Sequence, residues 1–284
     1  MTANTQVTEH VEEHGGFKTR YLTAGDPANP AMVLVHDGAW GGSSSSTWEN
    51  LIPLLSESFY IVAPDLQGFG GSQKVVFLDL PPYAPRIANL RALLSTVLGD
   101  RRYHLVGTSF GGSLAMRMLS EGKDPGIASV VSIGGTGGPW RTAEALQALS
   151  EWDGTREDLK RVTRILIDEK SPLFEAQIDT RLRWASEPGH YRAVKALGIA
   201  LPEPLVGGRV EDPWPEQLRG NTTPMLLIAG QHDALVEPDW LTHFEGFMPN
   251  LEMVTIDTFH EPNIDHPELV ADLLTTFADA HSVD

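Results

Sequence analysis

The chain has 284 residues, of which 38 are aspartate or glutamate and 21 are lysine or arginine, so its net charge is −17. A surface this acidic repels phosphate backbones and anionic lipid, which excludes nucleic acid and membrane surfaces as expected partners. The absence of cysteine excludes disulfides, thiolate zinc sites and a cysteine nucleophile. The polar N-terminus lacks the apolar core of a signal peptide, and no apolar run could cross a bilayer, so we expect a cytoplasmic protein.

Short apolar runs alternate with longer segments of helical period along most of the chain. The segment Phe17–Ala24 alternates polar and apolar residues and is predicted to be an antiparallel edge strand. Continuous apolar runs, typical of strands buried on both faces of a sheet, follow at 31–35, 59–63, 103–106, 128–133, 225–229 and 251–256. Helices are predicted at 48–55, 87–98, 110–121, 238–247 and 267–280. This alternation predicts a mostly parallel sheet with its polar chemistry at the strand ends.

One long stretch, residues 140–218, breaks the alternation and contains no strand-like run. A helix is predicted over 155–166, where Thr155 and Asp158 stand at capping-box spacing. A second helix is predicted to start at Ser171 and Pro172, a cap residue followed by proline. We therefore expect a core domain of residues 1–139 and 219–284, with 140–218 as a helical lid over the strand ends.

The third apolar run leads into a nucleophile-elbow motif. The sequence Gly107-Thr108-Ser109-Phe110-Gly111 has the pattern G-x-S-x-G between a predicted strand and a predicted helix, as the motif requires. The helix that follows points its N-terminus at Ser109, where free N–H groups and the helix dipole favour a developing oxyanion. The alternative is a tight turn with an incidental serine.

Partners for Ser109 follow two later strands. Serine is a weak nucleophile and needs a base, and the base needs an orienting acid. Asp233 follows the run 225–229 and His260 follows the run 251–256, in the chain order Ser, Asp, His of the α/β-hydrolase fold. We therefore predict this fold, with Ser109 as nucleophile, His260 as general base and Asp233 as the acid that orients it.

Other acids and histidines near these positions are weaker candidates. Asp239 and Glu237 are alternative acids, but they fall at a helix start, where carboxylates are common. His266 precedes a predicted helix and is interpreted as a capping or surface residue, and His232 as a flank of the Asp233 loop. No partner is apparent in the sequence for His10, His14, His190, His243 or His281. Because no histidine pair has zinc-ligand spacing with a third ligand nearby, we predict no metal and no cofactor.

The oxyanion hole of such an enzyme needs two backbone N–H groups. One is expected from Phe110, the residue after the nucleophile. The other is expected from the glycine-rich loop after the run 31–35, with Gly38 preferred and Asp37 as the alternative. His36 in this loop is interpreted as a structural hydrogen-bonding residue rather than a base.

These motifs resemble those of the meta-cleavage-product hydrolases, a branch of the α/β-hydrolases that cut carbon–carbon bonds in vinylogous 1,5-diketones. His36 through Trp48 is similar to the family segment H-G-x-G-P-G-A and the aromatic after it, and residues 63–70 are similar to A-P-D-x-x-G-F-G, which many relatives share. The resemblance implies that Arg181 binds substrate from the lid, with a helix-surface charge as the alternative reading. Trp40 is a further candidate substrate contact.

The chain departs from the family pattern at residues expected around the pocket. Asp37 replaces the glycine after the loop histidine, and Thr108 and Thr47 replace asparagines. Glu261 stands where the family has tryptophan after the base. Either Asp37 and Glu261 place negative charge near the site, or they face solvent and change nothing. The first reading predicts that esters or lactones are preferred over a dienol of the muconic-semialdehyde type.

The sequence thus predicts an enzyme that hydrolyses a small carbonyl compound, either an ester or lactone or the C–C bond of a diketone. Ser109 attacks the carbonyl carbon, or His260 activates a water for the same attack. The alternatives are a non-catalytic ligand-binding protein on the same fold and a cofactor-free haloperoxidase-like activity. The sequence leaves the substrate and the oligomeric state open, with a homo-oligomer among the alternatives.

Overall fold

An eight-stranded sheet runs through the computed structural model, which describes residues 6–78, 80–199 and 212–281. The strands in chain order are β1 Thr8–His14, β2 Phe17–Ala24, β3 Ala31–Val35, β4 Tyr60–Pro64, β5 Tyr103–Thr108, β6 Ile127–Ile133, β7 Met225–Gly230 and β8 Leu251–Ile256. Their order in the sheet is β1-β2-β4-β3-β5-β6-β7-β8. β1 and β2 pair antiparallel, as do β2 and β4, and all the later pairs are parallel.

The sheet order creates a switch point at β3. The chain passes from β3 to β4 on one side and then returns to β5 on the other side, so the loops after β3 and β5 leave the sheet in different directions. A crevice outside the carboxyl ends of the strands forms at such a point, and ligands bind there in open α/β sheets. The predicted oxyanion loop follows β3 and the predicted nucleophile follows β5, so the fold brings them to this crevice.

The central strands are buried on both faces, as their apolar runs predicted. In β3, Val33 and Val35 belong to one hydrophobic cluster, whereas Met32 and Leu34 belong to the other. Alternation of side chains across a strand divides them in this way, and helices on each side of the sheet complete the two clusters. The core is therefore a sheet between two helical layers, which confirms the predicted α/β-hydrolase architecture.

The described helices include those predicted at 87–98, 110–121, 155–166 and 267–280, with ends shifted by a few residues at most. They are α1 Ser44–Trp48, α2 Ile52–Leu55, α3 Ala84–Val97, α4 Phe110–Ser120, α5 Ala143–Ser150, α6 Arg156–Leu166, α7 Phe174–Ala185, α8 His190–Ala196, α9 Pro262–Asp265 and α10 Pro267–Ala280. Short 3₁₀ turns lie at Glu216–Leu218 and Trp240–Phe244. The helix predicted over 48–55 is two short helices, and the one predicted over 238–247 is only the second 3₁₀ turn.

Helices α5 to α8 occupy the segment between β6 and β7, where the lid was predicted. Thr155 caps α6 by accepting the N–H of Asp158, as the capping-box spacing indicated. The second lid helix begins at Phe174 rather than at Ser171, whose hydroxyl instead accepts the N–H of Leu173. The part of the lid prediction that falls on residues 200–211 lies outside the described residues.

The position of Phe17–Ala24 corrects one prediction. This segment is the second strand of the sheet, and β1 forms the edge beyond it. β1 was missed because its sequence, TEHVEEH, is mostly polar and mostly exposed, so no apolar run marks it. Polar residues on an edge strand also discourage pairing with another chain. Among the described residues, no helix is long and apolar enough to span a bilayer.

Candidate active site

Ser109 occupies the strained turn that the elbow motif predicted. Its backbone lies at φ 54° and ψ −117°, between the end of β5 and the start of α4. The flanking glycines permit this turn, since a Cβ atom on Gly107 would lie 2.3 Å from the Gly111 carbonyl carbon. A Cβ on Gly111 would lie 2.2 Å from the backbone oxygen of Val35. Strain of this kind at a non-glycine residue persists only where the surroundings enforce it, often at functional sites.

His260 and Asp233 meet at the ends of β8 and β7. The imidazole Nδ1 lies 2.6 Å from Oδ2 of Asp233, and both side chains are almost fully buried. The other oxygen of Asp233 accepts the N–H of Leu235 at 2.8 Å, which fixes the carboxylate plane. This carboxylate favours the imidazole tautomer that carries its proton on Nδ1, leaving Nε2 as the acceptor.

The surroundings of His260 suit a base that must accept a proton. Burial alone would lower the pKa of His260, but the carboxylate of Asp233 outweighs it and raises the pKa above 6.5. Nε2 of His260 is buried and has no hydrogen-bond partner in the part of the chain that the structure describes. Gly134 makes room for the ring, because a Cβ there would lie 2.9 Å from Nδ1 and Cε1. A ring held on one nitrogen and free on the other is poised for proton transfer.

Ser109 and His260 line the same cavity, which has a volume of about 260 Å³. Its walls are mostly apolar and come from both the core and the lid, with contributions from Tyr83, Phe110, Leu146, Leu149, Leu166, Val194, Leu197, Leu235 and Val236. An enclosed apolar wall with few polar groups is typical of small-molecule sites. A larger surface depression of about 660 Å³ lies beside Trp152 and Arg161, and none of the predicted site residues lines it.

The two residues predicted for the oxyanion hole stand next to each other. A Cβ on Gly38 would lie 2.8 Å from Cβ of Phe110, so only glycine allows this approach. Both residues line the cavity, as does Trp40. The indole N–H of Trp40 donates to the backbone oxygen of Leu149 at 2.8 Å, which ties the oxyanion loop to the lid.

Arg181 was predicted either to bind substrate from the lid or to be a helix-surface charge, and the structure places it in neither position. Its side chain is neither on the surface nor among the residues that line the cavity, but is 0% exposed. Its guanidinium nitrogens lie 3.1 Å from each oxygen of Asp37 and 2.8 Å from Oε2 of Glu261. The prediction of a pocket-facing arginine is therefore corrected: the positive charge of Arg181 is directed at two internal carboxylates.

The remaining departures from the family pattern are also buried. Asp37 and Glu261 are both 0% exposed, so the reading in which they face solvent is wrong. Thr108 is buried beside the nucleophile, and its hydroxyl has no hydrogen-bond partner among residues 6–78, 80–199 and 212–281. Thr47 donates its hydroxyl to Asp37 at 2.5 Å. None of these four residues lines the cavity, so they act behind its wall.

The other histidines of the region have structural partners. Nε2 of His36 accepts the N–H of Leu66 at 2.8 Å, and burial lowers the pKa of His36, in keeping with a structural role. His232 pairs with Asp257 and His266 with Asp265. The sequence showed no partner for His190, yet its buried ring accepts the N–H of Gly41 at 3.0 Å. Only the fold could reveal this contact between the lid and the oxyanion loop.

One group of side chains with metal-ligand chemistry occurs within the described ranges. Glu237, Asp239 and His243 offer atoms that lie within 4.8 Å of one another, and the two carboxylates are exposed. The ring of His243 stacks on Trp140 with centroids 4.3 Å apart. Exposed acidic residues gather without a metal in many proteins, and this group lies outside the cavity lining.

Known proteins that resemble this chain are hydrolases of the type that its sequence motifs indicated. The chain is 27% identical over 265 residues to 2-hydroxy-6-oxo-6-(2'-aminophenyl)hexa-2,4-dienoic acid hydrolase of Metapseudomonas resinovorans, which covers 93% of this chain and 88% of that one. It is also 27% identical over 266 residues to the 2-hydroxy-6-oxononadienedioate/2-hydroxy-6-oxononatrienedioate hydrolase of Burkholderia vietnamiensis, covering 89% and 87%. The solved structure of the 2-hydroxy-6-oxo-6-phenylhexa-2,4-dienoate hydrolase from Rhodococcus sp. strain RHA1 superimposes with a TM-score of 0.84 at 25% identity, covering 98% of this chain and all of that one.

A family model extends the likeness across the core. Residues 32–273, which include the elbow, both of its predicted partners and the whole lid segment, match the model described as the alpha/beta hydrolase family. The sheet order, the strained serine turn and the relatives agree with this match. The chain therefore belongs to the alpha/beta hydrolase family, and over nearly its whole length it is similar to the meta-cleavage-product hydrolases.

Proposed function

We propose that the chain is a serine hydrolase in which Ser109, His260 and Asp233 form the catalytic triad. The observation that carries the proposal is the His260 ring, which binds Asp233 through Nδ1, has no partner for Nε2 among the described residues, and lines the same cavity as Ser109. A nucleophile, a base and an orienting acid are the parts that acyl transfer needs. A ligand-binding protein would have no use for a strained serine beside a base held in this way.

Each of these residues has a role in the proposed reaction. As Oγ of Ser109 attacks the substrate carbonyl carbon, Nε2 of His260 takes its proton, and the N–H groups of Gly38 and Phe110 hold the oxyanion. His260 then returns the proton to the leaving oxygen or carbon. A water molecule, deprotonated by the same imidazole, then attacks the acyl carbon. The bond from that carbon to Oγ breaks, and His260 returns the proton to Oγ of Ser109 as the acid is released. Direct attack by a water that His260 activates is the alternative first step.

The cavity favours a small, largely apolar carbonyl substrate, which the predicted ester or lactone would satisfy. Its volume of about 260 Å³ and its apolar walls match such a compound. Arg181, which the resemblance assigned to substrate binding, is already bound to Asp37 and Glu261. Among the described residues, the cations that line the cavity are Arg141 and Lys195, and both also contact backbone oxygens.

Cleavage of a C–C bond is the second candidate function, and the relatives favour it. Their names describe hydrolases of 2-hydroxy-6-oxo dienoic acids, and the likeness covers more than four-fifths of both chains. Both reactions share the attack on a carbonyl and the oxyanion, but C–C cleavage must also place a proton on carbon before the bond breaks. An assay that compares esters with a dienol therefore shows whether the enzyme can carry out this additional proton transfer.

The proposed function is tested by labelling and by a substrate panel. A fluorophosphonate should modify Ser109 alone, as mass spectrometry of tryptic peptides would show, and Ser109→Ala should remain unlabelled. Neutral p-nitrophenyl esters and lactones should then be assayed beside a dienol of the muconic-semialdehyde type. We expect kcat/KM for the best ester to exceed that for the dienol. Absence of both labelling and turnover would refute the serine mechanism, whereas a large preference for the dienol would establish the second candidate.

The activity should fall at acid pH. Only a neutral imidazole accepts the proton of Ser109, and Asp233 raises the pKa of His260 above 6.5. The acid limb of the kcat/KM profile should therefore have its midpoint above pH 6.5, and activity should be lost as pH falls through it. The measurement is ester hydrolysis from pH 5 to 9, with circular dichroism at each pH to exclude unfolding. A flat profile down to pH 5 would remove His260 as the base.

A further inference from the structure

A buried ion triad lies behind the wall of the cavity. Arg181, on lid helix α7, donates hydrogen bonds to both oxygens of Asp37 and to one oxygen of Glu261. All three side chains are 0% exposed. A guanidinium group presents its donors as a planar fork, and here that fork faces a carboxylate in the two-point geometry that suits it. The three residues are distant in sequence, and the packing of lid helix α7 against the core brings them together.

The charges of the triad balance without a ligand. Burial opposes ionisation of Asp37, but Arg181 outweighs it and lowers the pKa of Asp37 to about 2. Burial and the neighbouring charge of Asp37 raise the pKa of Glu261 to about 8, although Arg181 acts in the other direction. Ionised Asp37 alone compensates the guanidinium of Arg181, and the raised pKa of Glu261 favours its protonated form, which adds no further charge. The positive charge of Arg181 is already neutralised, so a carboxylate on the substrate would gain little from it.

The triad also joins the two loops that carry the catalytic groups. Asp37 precedes Gly38, and its Oδ1 accepts the N–H of Ala39 at 2.8 Å, so its position sets that of the oxyanion loop. Glu261 follows His260 directly in the chain. A rotation of Arg181 or the loss of either acidic side chain would therefore displace both the oxyanion loop and His260.

We propose that Asp37, Arg181 and Glu261 position the oxyanion loop and the base, and that their balanced charge directs the enzyme to substrates without a carboxylate at this end of the cavity. The inference rests on the proposed serine mechanism and goes beyond it by assigning the charge of the substrate. The three residues are positioning and specificity residues, because they act through Gly38 and His260 and do not line the cavity.

A matched pair of esters tests the specificity. p-Nitrophenyl butyrate and the p-nitrophenyl monoester of succinic acid have acyl chains of equal carbon number and differ by a terminal carboxylate. The wild type should prefer the butyrate by at least about tenfold in kcat/KM, since an unpaired charge in a partly buried site costs that much or more. Asp37→Asn is made in the Glu261→Gln background, because Glu261 would otherwise ionise beside Arg181 once the charge of Asp37 is removed. Arg181 then has no carboxylate partner, so the preference should shrink by roughly fivefold or more. The kcat of this double variant for the butyrate should also fall, with KM changing by less than about twofold.

Asp179→Asn is the matched control. Asp179 lies on the same helix and pairs with Arg156, but its side chain is 65% exposed, so this pair should contribute little. If the folded Asp37→Asn/Glu261→Gln double variant behaves like Asp179→Asn with both esters, the inference is overturned. A wild type that prefers the succinate monoester would also overturn it. If instead Ser109→Ala hydrolyses the butyrate as well as the wild type does, the serine mechanism itself fails, which is a different result.

Glu261→Gln alone provides a test that does not depend on the double variant folding or on activity. The charged and titratable groups near Glu261 are those of Asp37, Arg181, His260 and Asp233. In the folded chain the pKa of Glu261 is raised above its ordinary value of 4.5. A raised folded pKa means that stability falls as pH rises from about 4.5 to about 8. From pH 6 to pH 9 the wild type should therefore lose roughly 2 °C or more of Tm relative to Glu261→Gln.

The same variant has a kinetic readout. Ionisation of Glu261 adds a negative charge beside His260 and near the oxyanion, so wild-type kcat/KM for the butyrate should decline as pH rises through about 8. Glu261→Gln should lack this alkaline decline. Identical Tm changes and identical alkaline limbs in the two proteins would overturn the charge state and the coupling on which the inference depends.

Discussion

Ser109→Ala should abolish nearly all turnover while leaving the fold intact. Removal of the nucleophile from a catalytic triad costs up to ~10⁶-fold in kcat, and the residual rate reflects the oxyanion hole and binding. We expect a loss of at least about a thousandfold with the best p-nitrophenyl ester. Alanine fits the site sterically, although the φ of 54° remains strained for it as for serine. The measurement is kcat, with circular dichroism and thermal unfolding on the same preparation.

Ser120→Ala, at the far end of the same helix, is the control for this change. The hydroxyl of Ser120 donates to the backbone oxygen of Arg117, away from the cavity, so turnover should stay near that of the wild type. A folded Ser109→Ala protein that retains more than a few per cent of the activity would show that Ser109 is not the nucleophile. Hydrolysis would then have to start from a water activated by His260.

Asp233→Asn should also have a large effect, a loss of about 10⁴-fold in kcat, by analogy with the same change in other serine triads. An amide in place of the carboxylate no longer favours a proton on Nδ1 of His260, so the imidazole can adopt the wrong tautomer. It also removes the charge that raises the pKa of His260. The 2.6 Å contact between the two side chains makes both effects direct. The change should lower kcat at constant substrate affinity and shift the acid limb to lower pH.

Asp239→Asn is the natural control, because Asp239 was the alternative acid in the sequence and is exposed. Its substitution should leave both kcat and the pH profile within about twofold of the wild type, as expected for a surface carboxylate. If Asp239→Asn were the damaging change and Asp233→Asn the silent one, the acid of the triad would have to be reassigned.

The departures from the family pattern at Asp37 and Glu261 are one feature rather than two. Burial alone would make an ionised carboxyl group unfavourable at either position, and both residues are tolerated because Arg181 lies between them. Leaving one partner of a buried ion pair without the other costs about 3–5 kcal/mol, so none of the three residues can change freely on its own. A lid arginine therefore keeps its position in the chain while its partners, and with them its role, differ from those that the resemblance implied.

Much of the fold and the residues of the candidate site could be predicted from the sequence by itself. Continuous apolar runs marked six of the eight strands, and alternation marked β2. Five of the six runs lie in the middle of the sheet, where a strand buried on both faces has to be apolar throughout; the sixth, β8, is at the edge and is exposed or half-buried along its length. The elbow was readable for an equally local reason, since Gly107 and Gly111 are required by collisions within a few residues of Ser109. Asp233 and His260 followed from chain order and from the rule that parallel strands bring their carboxyl ends to one edge of the sheet.

Tertiary structure alone decided which side chains meet behind the cavity. Arg181 lies 144 residues from Asp37 and 80 from Glu261 along the chain, and His190 lies 149 from Gly41. The same side chain could serve as a surface charge, a substrate ligand or a buried partner, and periodicity does not distinguish these roles. What distinguishes them is desolvation: once the lid excludes water, a guanidinium must bind the nearest carboxylates, and their identity depends on packing across the whole molecule.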